Sequence, residues 1–217
     1  MHLPDALRET DDESASALLQ CYYGTGSHAH PQSFTGAHVD TWDSTGTRAE
    51  DTHRFTADDL VAVSFLSVNI PPMAASALLV ERADELGELL TELGPDRELV
   101  QEKTAWPDDW VGWRLWQQLV NLPGVGPTMA SKRYARKRPR LRPVYDSVVA
   151  KVVHSDQLWE PLRAELQVNE ALHPRLVRLG EGAQLPAAVP ALRVFDVVTW
   201  MEGTHGRRCP WAASGAS

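Results

Sequence analysis

The segment Leu122-Pro123-Gly124-Val125-Gly126 has the composition of a tight corner between two helices. Its glycines permit a turn with positive φ and leave no Cβ in the way of a ligand. The helix predicted to follow, from Thr128 to Lys137, points its first N–H groups and the positive end of its dipole outward. A phosphate can bind there, with Lys132, Arg133 or Arg136 one or two turns further along. Such contacts position a nucleic acid without reading its bases.

An aspartate, Asp146, follows Gly124 after 22 residues, at the start of a helix predicted to run through Val153. Its carboxylate can cap that helix by accepting hydrogen bonds from the first N–H groups. It can also stabilise positive charge on a reacting sugar and orient a water molecule for attack. The two roles are compatible.

Together these elements closely resemble the helix-hairpin-helix DNA glycosylase superfamily, which includes endonuclease III. In that family the Leu-Pro-Gly-Val-Gly hairpin is followed at this distance by the catalytic aspartate, so the resemblance favours a catalytic role for Asp146. The string Leu66-Ser-Val-Asn69 resembles a family helix end whose amide residue enters the duplex, which makes Asn69 a candidate wedge. An Asn that merely closes a helix before Pro71 is an equal alternative.

The resemblance covers about 55–153, and the chain departs from the family in several ways. Bifunctional members carry a nucleophilic lysine where this chain has Thr128, and Lys132 is set back by one helical turn. The resemblance therefore implies a monofunctional glycosylase without β-lyase activity. Because no group of cysteines follows the core, we expect no iron–sulfur cluster. The resemblance also implies that the carbonyl groups of Leu122 and Val125 bind a monovalent cation. The whole chain looks more like a small actinobacterial-type family of unknown function than a well-studied branch.

The pocket for an extruded base is less clearly indicated. A long polar loop, from Gly24 to His53, is either mobile or part of a binding surface. Aromatic residues that flank this loop or lie in it can stack on a base: Tyr22, Tyr23, Phe34 and Trp42. Tyr145 is a core residue or a further pocket residue. His28, His30 and His38 lie in the same loop without Cys or carboxylate at ligand spacing, so we expect no catalytic metal.

The charge distribution is uneven. The chain carries a net charge of −8, yet residues 121–150 hold seven cations and one anion, +6 net, which leaves −14 for the remainder. A concentrated basic stripe binds phosphates locally because charges beyond about 10 Å are screened. A solvated helix face is the plainer interpretation of such a run. Beside the hairpin, we interpret the stripe as a surface for double-stranded DNA.

Strand-like alternation is scarce, so the predicted class is all-α, with a glycosylase-like helical fold and a long N-terminal loop. We divide the chain into an N-terminal helix and loop (1–54), a helical core (55–203) and a loose C-terminal tail (204–217). Without a signal peptide or a spanning apolar run, we expect a monomeric, cytoplasmic, nucleoid-associated protein. Its cysteines, Cys21 and Cys209, are expected to be free.

The predicted function is hydrolysis of the bond between a damaged or modified base and its sugar, which leaves an abasic site. A bulky modified base of phage DNA is one substrate that the atypical loop would suit, with a role in phage defence. A non-catalytic DNA-binding module that kept only the hairpin is the main alternative. A helical domain that binds a protein partner is a third.

Overall fold

A computed structural model describes residues 1–8, 12–26 and 34–211. These residues form helices and no strand, which confirms the all-α prediction for the described part of the chain. The α-helices run as follows: α1 Asp5–Arg8, α2 Glu13–Tyr23, α3 Ala57–Ser64, α4 Pro72–Ser76, α5 Ala83–Leu93, α6 Val111–Val120, α7 Pro127–Lys137, α8 Ser147–Val153, α9 Trp159–Val168, α10 Leu172–Gly182 and α11 Ala191–His205. Among the described residues, no helix has both the length and the apolar character needed to cross a bilayer.

The string Thr56-Ala-Asp-Asp59, a hydroxyl followed by acids, predicts the start of a helix that runs to about residue 68, and helix α3 begins there. Thr56 and Asp59 form a reciprocal capping box, in which each side chain accepts a hydrogen bond from the other residue's backbone N–H. The helix ends at Ser64, earlier than the predicted end near residue 68. Ser67 adopts a positive φ of 57°, a strained conformation for a residue with a side chain. The chain therefore turns sharply before Pro72 opens α4.

Helix α11 lies at the centre of the fold and packs against α2, α8 and α10. It is buried along most of its length, and its buried residues include the charged Arg193 and Asp196. At Gly203 it approaches α8 so closely that a Cβ would come within 2.6 Å of Val148 and 2.7 Å of Val152 side-chain atoms. This contact places the start of α8, and hence Asp146, beside the face of α11 that carries Arg193 and Asp196.

The basic residues of α7 and the following turn are mostly buried, and the prediction of a basic stripe that faces DNA is wrong. Arg133, Arg136 and Lys132 are only 1%, 3% and 7% exposed. Lys137, Arg138 and Arg142 are also buried, which leaves Arg140 as the exposed cation of this group.

Three of these buried cations bind the backbone of the long loop instead. An irregular loop leaves carbonyl groups without helix or sheet partners, and buried carbonyl groups require donors. The carbonyl acceptors lie along the loop, at Val39 and Trp42 for Arg136, at Asp51 for Lys137 and at Thr52 for Arg138, with distances of 2.6–2.9 Å. The part of the loop that the structure describes is therefore bound to α7 as part of the packed fold.

The C-terminal segment is also attached to the core, so the prediction of a loose tail is wrong for residues 204–211. Helix α11 continues to His205, and Cys209 forms a disulfide with Cys21 of α2. The expectation of free cysteines is wrong as well. The sequence could not show this pairing, because the two cysteines are 188 residues apart and meet only when α11 packs against α2.

Candidate active site

A cavity of about 240 Å³ opens between α2, α7, the start of α8 and α11. Four aromatic rings contribute to its lining: Tyr22, Phe34, Phe65 and Trp200. Four charged residues also line it: Lys132, Asp146, Arg193 and Asp196. The cavity is smaller than the roughly 300 Å³ at which drug-sized pockets begin, so its size suits a small planar group.

Asp146 caps α8 and lines the cavity at the same time. Its Oδ1 accepts hydrogen bonds from the N–H groups of Val148 and Val149 at 3.0 and 3.1 Å. Its Oδ2 lies 3.7 Å from the Nζ of Lys132, which in turn donates to the carbonyl of Leu66 at 2.9 Å. The cap holds the carboxylate in one orientation, so Oδ2 is the oxygen left to act on a ligand.

Lys132 of α7 lines the cavity. Burial lowers the pKa of its ammonium group, and the neighbouring Asp146 carboxylate opposes that shift. The paired charges reduce the cost of placing either one in a largely apolar cavity.

The turn between α3 and α4 connects the cavity to the hairpin. Leu66 and Ser67 line the cavity, and Asn69 is exposed two residues further on. Pro71 then lies against the hairpin, since a Cβ on Gly124 would come within 3.2 Å of its ring. The exposed Asn69 is thus held between the cavity and the hairpin by the short stretch of chain that joins them.

The hairpin has the geometry that its glycines predict. Gly124 has a positive φ of 73°, and Leu122 and Val125 anchor the corner in the core, where the N–H of Val125 donates to the carbonyl of Leu122 at 3.0 Å. Gly126 is the N-cap of α7 and provides no side-chain cap. With proline as the first residue of α7, the N–H groups of Thr128 and Met129 remain available at its N-terminus.

A buried arginine that lines the cavity, Arg193, pairs with two carboxylates. The Nε of Arg193 donates to Asp40 at 2.8 Å, and its Nη1 donates to Asp196 at 2.8 Å. The Asp196 carboxylate also accepts the N–H of Val144 at 2.8 Å. Arg193 and Asp196 are a charged pair, three residues apart, in an otherwise apolar helix, a pattern that already indicates a buried polar site.

Comparison with protein families gives one assignment. The family of unknown function DUF6308 matches residues 15–203 of the chain. The chain belongs to the DUF6308 family. No curated protein and no solved structure matches it.

In this DUF6308 protein, the cavity contains some of the predicted aromatic residues and not others. Tyr22 and Phe34 line it and stack on each other, with ring centroids 5.2 Å apart. Tyr23 and Trp42 do not line it, and Trp42 instead donates from Nε1 to Asp58 at 3.2 Å. Tyr145 faces a different groove and donates to the carbonyl of Ser155 at 2.8 Å, so the pocket role predicted for these three residues is wrong.

The cavity is also lined by residues that the sequence analysis did not single out. They are Phe65, directly after α3, and three residues of α11: Arg193, Asp196 and Trp200. Periodicity predicts that such helices are buried but does not indicate which side chains line a cavity. Among the described residues no group of three metal-ligating side chains comes together. The predicted loop histidines His28 and His30 lie outside the described residues.

Proposed function

We propose that this DUF6308 protein is a monofunctional DNA glycosylase, with Asp146 as its catalytic carboxylate. One observation carries the proposal: Asp146 lines a small cavity together with aromatic rings, and the turn at the edge of that cavity contacts the Leu-Pro-Gly-Val-Gly hairpin. A carboxylate, a base-sized cavity and a phosphate-binding corner are the parts that excision of an extruded base requires.

The reaction follows from these positions. A base rotated out of the duplex enters the cavity and stacks on rings such as Phe65 and Trp200. As the base departs with the electron pair of the glycosidic bond, positive charge develops on the sugar. The fixed Oδ2 of Asp146 stabilises that charge and accepts a proton from the attacking water. Asn69, exposed beside the cavity, occupies the gap left in the duplex.

The proposed contact with double-stranded DNA uses backbone groups. The N–H groups at the start of α7, beside the exposed Pro123 and Gly124, are donors to one or two phosphates. The buried cations contribute no surface charge. Because neutral N–H groups release few counterions, binding is expected to depend little on salt, with a slope no steeper than about −1 on logarithmic axes, whereas six contacts from Lys or Arg to phosphates would give roughly −5.

The central test compares wild-type protein with Asp146→Asn on duplexes that carry a panel of damaged and phage-type modified bases. Alkali then reveals abasic sites. Asparagine caps a helix about as well as aspartate, so the variant is expected to fold normally. Excision should fall at least about 100-fold. Asp109→Asn removes an exposed carboxylate from another part of the surface and should leave the rate unchanged.

A second experiment tests the absence of lyase chemistry. Thr128 occupies the position at which bifunctional helix-hairpin-helix glycosylases carry a nucleophilic lysine. The Nζ of the nearby Lys132 is already hydrogen-bonded to the Leu66 carbonyl. Reduction with borohydride during turnover should trap no covalent protein–DNA adduct. A trapped adduct that disappears in Lys132→Gln would show that Lys132 is a nucleophile and would refute the monofunctional assignment.

The second candidate is a non-catalytic DNA-binding module. It is favoured by the fact that Asp146 already has a structural task, as the cap of α8. This candidate predicts that Asp146→Asn and wild type bind DNA equally and that neither produces abasic sites on any duplex.

A further inference from the structure

Asp196 is a buried carboxyl group on the cavity wall with one unused oxygen. Its Oδ2 accepts hydrogen bonds from the N–H of Val144 and from Arg193, both at 2.8 Å. Its Oδ1 is buried and has no hydrogen-bond partner among the described residues. A buried polar atom without a partner is rare and costly, and it requires an explanation in a residue that lines a cavity.

The charges around Asp196 do not balance. Arg193 is one buried cation between two buried carboxyl groups, those of Asp40 and Asp196. Asp40 accepts from two nitrogens of the guanidinium, Nε at 2.8 Å and Nη2 at 3.4 Å, whereas Asp196 accepts from one. An unbalanced buried charge is expensive, so the cluster is most stable when one acid carries a proton.

That proton belongs to Asp196. Burial raises the pKa of its carboxyl group to about 8, against the opposing effect of Arg193. Because Oδ2 already accepts two donors, the proton resides on Oδ1. The titratable and charged groups around it come from several elements: Arg193 on α11, Asp40 in the loop, Asp146 and Lys132 across the cavity, and Tyr22 and Tyr23 on α2.

The geometry points to Asp196 as the residue that recognises the extruded base, by donating a hydrogen bond from its neutral carboxyl group to an acceptor on the edge of the ring. This inference rests on the proposed function and adds a substrate class to it. The aromatic rings accept any planar base, whereas a carboxyl donor at the ring edge favours a carbonyl oxygen over an amino group at the position that it faces. The preferred bases are therefore those with an oxo edge.

The test uses free bases, so that it does not depend on excision. In two pairs of bases a carbonyl group replaces an amino group at one ring position, together with a proton on the adjacent ring nitrogen: hypoxanthine with adenine, and uracil with cytosine. Calorimetric titration of the wild-type protein at pH 6 to 7 should show about tenfold tighter binding of the carbonyl member, the value of one neutral hydrogen bond. That preference should disappear as the pH rises past about 8, when Asp196 ionises.

Three variants separate recognition from a purely structural role. Asp196→Asn carries an amide N–H donor in place of the acid proton, so it should keep the carbonyl preference at every pH. Any pH dependence that remains in this variant comes from titration of the base itself. Asp196→Leu has no donor, so the ratio of affinities for the carbonyl and amino bases should fall by about tenfold. Asp40→Asn removes the excess negative charge without touching the cavity, so Asp196 should ionise at lower pH and the preference should fade earlier.

The outcomes are distinct. The inference is overturned if no base binds, if the preference is independent of pH in wild type, or if Asp40→Asn leaves the profile unmoved while circular dichroism shows that it is folded. Carbon-13 titration of the carboxyl groups gives a direct check, because an Asp196 that titrates below about pH 5 is charged in the neutral protein. If the preference holds but wild type leaves all duplexes intact, base recognition stands and the glycosylase proposal fails.

Discussion

Arg136 is the residue at which the two interpretations of the basic segment differ most. As part of a DNA-binding stripe, its replacement by glutamine would weaken DNA binding and leave the fold intact. In the structure its side chain is 1% exposed, with Nε 3.0 Å from Asp59 and two further donors bound to the carbonyl groups of Val39 and Trp42. Arg136→Gln should therefore destabilise the protein.

The size of the loss follows from the contacts. Breaking a buried ion pair by removing one partner costs about 3–5 kcal/mol. Here Lys137 remains 2.5 Å from the other oxygen of Asp59, so the carboxylate keeps one cation and the lower end of that range applies. The carbonyl groups of the loop lose charged donors in addition. We expect the free energy of unfolding to fall by about 3 kcal/mol.

Urea denaturation of Arg136→Gln measures this loss, and Arg140→Gln is the matched control. Arg140 lies four residues along and pairs with Glu98, but its side chain is 46% exposed, so its removal should cost less than about 1 kcal/mol. The reasoning is refuted if Arg136→Gln unfolds at the wild-type midpoint. It is refuted most clearly if the same variant loses DNA affinity and its salt slope becomes shallower by about one.

Three further outcomes are expected. Gly203→Ala forces a methyl group against α8 and should cost about 1–3 kcal/mol in thermal or urea unfolding, whereas Gly182→Ala, with open space around it, should be neutral or stabilising by up to about 1 kcal/mol. Reduction of the Cys21–Cys209 disulfide should lower the free energy of unfolding by about 2–4 kcal/mol, and labelling of the unreduced, denatured protein should find no free thiol at either position. Because the folded pKa of Asp196 is about 8 and its unfolded value is near 4, its neutral form stabilises the protein fully at low pH. The free energy of unfolding should decline between about pH 4 and 8, by at most about 1.4 kcal/mol per pH unit from this group, and Asp196→Asn should remove that decline; an unchanged slope would contradict the assignment.

Local patterns were sufficient for some helix starts and for two parts of the candidate site. A capping box depends on residues three apart, so Thr56 and Asp59 indicated the start of α3 correctly. The glycine corner at Gly124 and the N-cap at Asp146 are likewise determined by neighbours in the chain. Each of these features is a hydrogen-bonding or conformational preference that a few consecutive residues satisfy among themselves.

The role of each charge was decided only by tertiary packing. From the sequence alone, Arg136 is interpreted as a surface cation. Its partners, the carbonyl groups of Val39 and Trp42, lie 97 and 94 residues away along the chain, so no local pattern indicates them. The sequence indicates only that Asp196 belongs to a mostly apolar helix. It lines the cavity in the folded protein, where Gly203 allows α11 to lie close to α8. Whether a charged side chain faces water or a buried acceptor depends on which distant segments cover it, and a sequence pattern contains no distance between such segments.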